Sequence, residues 1–201
     1  AEKYAKSATN IYDLGCSLGG ATFSVLDGIR EKNGISVFSV DSSQAMIERL
    51  KQNIAAHPAG NGTVIHPICA DIRDVPMSAA SFIVLNFTLQ FIERQARQAI
   101  ISSLYDALVP GGVLILSEKC REDDGSIEKI ISEAHLDFKK RMGYSDLEIA
   151  QKRTALENVM KTDRAADHLE RLHRAGFNEA VMWYRQFNFC SFIAVKPAGA
   201  E

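Results

Sequence analysis

The residues able to do chemistry in this sequence are a glycine run and a series of polar side chains that follow it at strand ends. Asp13-Leu14-Gly15-Cys16-Ser17-Leu18-Gly19-Gly20 comes after a short apolar strand and opens a helix. Glycines therefore stand where the backbone must turn sharply and approach a ligand closely. The loop lacks the G-x-G-x-x-G spacing of dinucleotide sites and the Lys-Ser/Thr pair of a phosphate loop, so a pyrophosphate ligand fits poorly. Asp41, at the end of the second strand, is placed to accept hydrogen bonds from both hydroxyls of a ribose. After the third strand, Asp71 can accept from an adenine amino group while Ile72 packs on the ring. Asn86 ends the fourth strand, where a polar side chain faces the crevice at the sheet's carboxyl edge. Each residue alone is an ordinary strand-end polar group. Their placement at successive strand ends points to an adenosine-type nucleoside.

Other chemistries are disfavoured. No Ser-His-Asp or Cys-His arrangement is visible, and no general base stands beside a candidate acceptor, which weakens a hydrolase and a base-driven group transfer. Cys16, Cys69, Cys120 and Cys190 form no C-x-x-C pair, and His168 and His173 are five residues apart, off a common helix face. No metal site is expected. Lys and Arg number 23 against 25 Asp and Glu, a net charge of -2, so no general field draws the chain onto nucleic acid. No run of about 18 apolar residues is present to span a bilayer, and AEKYAKSATN carries no signal-peptide core, so a cytoplasmic location is expected.

The elements that position these residues read as a doubly wound α/β fold over one domain, 1–201. Strands are expected at Asn10 to Leu14, Ile35 to Asp41, Thr63 to Cys69, Phe82 to Phe87 and Val113 to Glu118, with a C-terminal pair at Glu179 to Arg185 and Asn188 to Lys196. Helices are expected at Ala21 to Glu31, Ser43 to His57, Arg94 to Leu108 and Arg164 to Ala175. Ser43 is a cap, and Pro110-Gly111-Gly112 and Gly176 are stops. Residues 119–163 exceed a simple connection and place Ile127, Ile130, Ile131 and Ala134 on one helical face, a helical insertion that acts as a lid or an interface. Its basic residues, Lys139-Lys140-Arg141 and Lys152-Arg153, read mostly as solvated faces. A planar guanidinium such as that of Arg153 would grip both oxygens of an extra ligand carboxylate.

YDLGCSLG, DIRD, LNFTLQF, LSEK, GYSDLE, QKRTALENVM and FNFCSFIAVK together resemble the carboxy-S-adenosylmethionine synthase family of the S-adenosylmethionine-dependent methyltransferase superfamily. The resemblance implies a Rossmann-like methyltransferase fold, a seven-stranded, mostly parallel sheet with a C-terminal antiparallel hairpin and a helical insertion after strand 5. It implies S-adenosyl-L-methionine as substrate or carboxy-S-adenosyl-L-methionine as product, prephenate as second substrate, a homodimer, and a role in supplying the modification of transfer-RNA wobble uridine without binding RNA or membrane. Carried over residue by residue, the nucleoside and amino-acid contacts fall on Gly15, Cys16, Ser17, Asp41, Asp71, Ile72 and Asn86, with Arg153 on the added carboxylate. Ser42 stands where the family usually has Asn, so its contact is expected through the main chain. No catalytic side chain is implied. The resemblance also implies a family segment ahead of the first strand, with a Tyr of the pocket, that is expected to be missing from this sequence. Two other readings are an ordinary methyltransferase acting on a small anionic acceptor and a non-catalytic nucleoside-binding partner of a transfer-RNA-modifying enzyme. Replacing Asp41 is expected to weaken nucleoside binding with little effect on the melting temperature of the free protein.

Overall fold

A computed structural model describes residues 1–57, 60, 62–157 and 159–199. Seven strands among them form one sheet, in the order β3-β2-β1-β4-β5-β7-β6. They are β1 (Asn10–Leu14), β2 (Ser36–Asp41), β3 (Val64–Cys69), β4 (Ala80–Asn86), β5 (Leu108–Lys119), β6 (Glu179–Gln186) and β7 (Phe189–Val195). The first five are parallel, whereas β7 runs antiparallel to both β5 and β6. The helices α1 (Gly20–Gly28), α2 (Gln44–Ala56), α3 (Arg94–Ala107) and α6 (Ala165–Ala175) connect the strands, and α4 (Gly125–Arg141) with α5 (Asp146–Glu157) forms the insertion.

Periodicity explains the layers. Alternate residues of a strand face opposite sides, so Ile11, Val37, Phe82, Val84 and Val113 meet Val25 of α1 and Ile29 just after it, while Leu14, Ile83, Leu85 and Leu116 meet Ile101 and Leu104 of α3 and Leu172 of α6. All are buried, and each fully buried aliphatic side chain contributes on the order of 2 kcal/mol. With helices on both faces, the parallel strands converge on one carboxyl edge, where ligands of open α/β sheets bind.

Ser43 caps α2 as expected, its hydroxyl accepting from the Met46 amide, and Gly176 follows α6 with φ of 112°. Several boundaries differ from expectation. Strand β5 already begins at Leu108, paired with Ala80, so Pro110-Gly111-Gly112 does not separate helix from strand. It bulges the start of β5, with Gly111 at φ 72° and its amide donating to Lys196. Strand β4 stops at Asn86 because Phe87 turns into the left-handed region at φ 55°. Helix α1 ends at Gly28, before the expected Glu31.

The insertion is helical, as expected, with α4 and α5 following β5. No residue of α4 is buried, and Ile127 and Ile130 are exposed, so its apolar face is not packed on the core. It touches the β6–β7 hairpin through His135 and Phe138 on Phe187 and through His135 on Phe189. Asn158, within QKRTALENVM, lies outside the described residues. No helix among the described residues is long and apolar enough to cross a membrane.

Candidate active site

Beneath the glycine loop, the buried Asp13 carboxylate accepts from the Thr22 hydroxyl at 2.7 Å, and Thr22 is 2.8 Å from the Ser39 hydroxyl. Burial raises the Asp13 pKa, opposed by the Thr22 hydrogen bonds. Asp13 thus pins α1 to β1 from inside the sheet. Above it the chain turns at Gly15, φ 81°, where a Cβ would sit only 2.0 Å from Thr88 Oγ1. Both the strain and the clash demand glycine here.

The expected site residues divide in a definite way. Gly15, Ser17, Asp41, Ser42, Asp71, Ile72 and Asn86 line one open cleft of about 630 Å³, joined by Phe87, Thr88, Phe91, Ile92 and Glu93. The Cys16 side chain does not line it. It is buried with Ile47 and Leu50 beneath α2, and burial pushes its thiol pKa up, so a ligand could meet Cys16 only at the main chain.

Asp41 is already engaged. Its Oδ2 accepts from the Ser17 amide and its Oδ1 from the Ser43 amide, each at 2.9 Å. Each oxygen keeps a further lone pair for a ribose hydroxyl, and the amides also hold Ser17 in its left-handed conformation, φ 48°. Asp71 is gripped by its neighbour: Arg73 Nε donates to Oδ1 at 2.8 Å and Nη2 to Oδ2 at 2.6 Å. That guanidinium holds the Asp71 carboxyl down at about 2. An adenine amino group would have to share these oxygens with Arg73 or displace it. Asn86 offers the opposite case, a buried Oδ1 without a partner among the described residues, at the cleft wall. A buried acceptor left unpaired costs about 1–3 kcal/mol, and a ligand ammonium would satisfy it. An orphan acceptor, a cradle no Cβ could enter and a strand-end carboxylate fit the amino-acid and ribose portions of a nucleoside such as S-adenosylmethionine.

Arg153 is not in the cleft wall. It lies exposed on α5 and adds its repulsion to the burial that lowers the pKa of Lys119, the last residue of β5. Sequence reasoning also missed Thr88 and Glu118. Thr88 Oγ1 donates to the Leu14 carbonyl at 2.9 Å, locking the loop after β4 against the glycine loop. Glu118, fully buried, accepts from the amides of Thr88, Leu89 and Gln90 at 3.1, 2.8 and 3.0 Å. Burial drives its carboxyl up to about 8, against the three amides and the Arg97 charge, which favour the carboxylate. The signal was an acid closing an apolar strand, in LSEK.

Fold and cleft together define a methyltransferase domain of the S-adenosylmethionine-dependent type, and residues 11–112 match the family model described as "Methyltransferase domain". Among solved structures, an S-adenosylmethionine-dependent methyltransferase from Methanosarcina mazei aligns with TM-score 0.67 at 16% identity, covering 98% of this chain and 96% of that one. An O-methyltransferase family protein from Burkholderia thailandensis aligns with TM-score 0.69 at 14% identity over 99% of this chain and 53% of that one. These likenesses establish the fold alone. In sequence, the chain is 47% identical over 196 residues to the carboxy-S-adenosyl-L-methionine synthase of Shewanella sp. (strain ANA-3), covering 98% of this chain and 79% of that protein. It is 46% identical, with the same coverage, to the synthase of Shewanella oneidensis. The chain belongs to the carboxy-S-adenosyl-L-methionine synthase family.

Proposed function

We infer that this chain is a carboxy-S-adenosyl-L-methionine synthase of the cytoplasm, converting S-adenosyl-L-methionine and prephenate to carboxy-S-adenosyl-L-methionine and phenylpyruvate. The observation that carries the reading is the cleft of Gly15, Asp41, Asp71 and Asn86 in a chain 47% identical to such a synthase along nearly its whole length. In this reaction prephenate loses carbon dioxide and hydroxide. The hydroxide takes a proton from the sulfonium methyl, leaving as water, and the resulting carbanion captures the carbon dioxide. No side-chain base is required, and the adjacent positive sulfur stabilises the carbanion.

The chain's own part is to bind, align and exclude water. Asp41 holds the ribose, Ile72 packs on the adenine, and Asn86 accepts from the amino group. Phe87 and Phe91 form an apolar rim beyond Asn86, on which the ring of the second substrate would rest. Arg153 lies on the insertion outside this chain's own cleft wall, so as the cation for the added carboxylate it would act on the cleft of a neighbouring subunit. Exposed apolar side chains on the insertion and β6, among them Ile130, Leu147 and Trp183, support a homodimer built on those elements. Incubation with S-adenosylmethionine and prephenate, followed by mass spectrometry, tests the reading. Phenylpyruvate and a nucleoside heavier by one carboxyl group are expected. Binding of S-adenosylmethionine without prephenate turnover would leave a plain methyltransferase or a binding protein.

A further inference from the structure

We propose that Gln90 is a positioning residue for this site, tying the cleft wall at Phe87 to both ends of the helical insertion. Gln90 belongs to the 3-10 turn Leu89–Phe91 and is buried, outside the cleft wall. Its side chain bridges two segments. Nε2 donates to the carbonyl of Phe87 at 3.3 Å, and Oε1 accepts from the amide of Lys119 at 3.2 Å, where β5 gives way to the insertion. Its main chain reaches the other end, the carbonyl accepting from the Lys161 amide at 2.8 Å. Its own amide donates to Glu118. One residue thus contacts the cleft rim, the entry to the insertion and its exit.

The surroundings make this junction stiff. The fully buried Arg97 donates to the carbonyls of Ile92 and Lys161, each at 2.8 Å through Nη2, and to Asp163 Oδ2 at 2.6 Å. Asp163 accepts in addition from Arg94 and Arg171. Arg97 also donates to the Gln90 carbonyl at 3.4 Å, so the exit of the insertion is clamped by ion pairs that do not involve the Gln90 side chain. Its entry is held to the 3-10 turn by Gln90 Oε1.

The rim needs such a hold. Phe87 sits at φ 55°, a strained conformation for a bulky residue that persists only where neighbours enforce it. Its ring stands edge-on to Phe189 at 5.6 Å, and Phe189 in turn contacts His135 of α4 at 5.0 Å. Phe87 and the insertion are thus linked twice, once through aromatic rings and once through the Gln90 amide. A displacement of the insertion would be transmitted to the rim on the acceptor side of the cleft. The ribose side is held separately, by Asp41 on the Ser17 and Ser43 amides.

The inference rests on the cleft binding S-adenosylmethionine beside a second, anionic substrate. The test is Q90M, which keeps the buried volume and removes both side-chain hydrogen bonds, with Q90E as a second variant that retains an acceptor towards Lys119. Hydrogen exchange of the free proteins is measured first. Q90M should exchange the Lys119 amide about tenfold or more faster than wild type, the weight of one lost hydrogen bond, while Q90E should stay within about threefold. Steady-state kinetics follow. For Q90M the KM for prephenate should rise about tenfold, with S-adenosylmethionine affinity changed less than about twofold. A role confined to stability would lower the melting temperature and leave that ratio unchanged, which would overturn the proposal, as would Lys119 exchange equal to wild type. If wild type itself fails to turn over prephenate, the functional reading fails, while the exchange comparison still decides whether Gln90 makes the tie. If Q90M does not fold, Q90E must still show a raised KM for prephenate, because its carboxylate cannot donate to Phe87, and an unchanged KM would overturn the proposal.

Discussion

Removing the Asp41 carboxylate should have two separable effects, because the structure assigns it two sets of partners. Towards the ligand, each oxygen has one lone pair left for a ribose hydroxyl, and a hydrogen bond to a charged group is worth about 1.5–3 kcal/mol. The cleft is open, so the freed hydroxyls regain water, and the loss for D41A should total about 3 kcal/mol rather than twice that, about a hundredfold in affinity. Within the protein, D41A strands the amides of Ser17 and Ser43, both now held at 2.9 Å. At about 1 kcal/mol in total for the two partly hydrated amides, the free protein should melt about 2–4 °C lower. This corrects the expectation from sequence that the melting temperature would hardly move. Isothermal titration with S-adenosylmethionine and its 2′-deoxy analogue, on wild type and D41A, separates the effects as a double-mutant cycle. Wild type should discriminate between the two ligands, and D41A should bind them nearly alike. An affinity within about threefold of wild type, or discrimination retained by D41A, would refute the ribose assignment. An unchanged melting temperature would refute the support given to the two amides.

Three further outcomes are expected. R153A should weaken carboxy-S-adenosylmethionine by about 2–4 kcal/mol while S-adenosylmethionine changes far less, measured by titration of both ligands; an equal loss for both removes Arg153 from the site. Stability should pass through a maximum near pH 6.5. His135 and His168 have pKa values lowered from 6.5 to about 4, chiefly by burial, so protonation favours the unfolded chain and stability is lost as pH falls below 6.5. Glu118 is raised from 4.5 to about 8, so the folded chain holds the extra proton and stability falls as pH rises from 6.5 to 8. Thermal melts across this range should show the alkaline slope in wild type and its loss in E118Q; a slope that survives the substitution assigns it elsewhere. Transfer RNA should not bind the isolated protein with submicromolar, strongly salt-dependent affinity, as checked by filter binding at two salt concentrations, because the net charge of -2 offers little counterion release.

The sequence by itself determined the frame. Near-continuous apolar runs such as Phe82 to Leu85 announced central strands, the cap at Ser43 and the stop at Gly176 bounded helices, and the glycine loop with Asp41, Asp71 and Asn86 at successive strand ends located the cleft. These features are local, because turn chemistry and periodicity act over a few residues and the parallel sheet brings consecutive strand ends to one edge. Tertiary structure decided what depends on partners distant along the chain. It buried Cys16 under α2, left the Asn86 carbonyl oxygen without a partner among the described residues and kept Arg153 outside the cleft wall. It also turned Glu118 and Gln90 into the link between cleft and insertion. A lone Glu and Gln carry no periodic signal, and their role exists only once three amides converge on one carboxylate and two remote backbone segments meet at one side-chain amide.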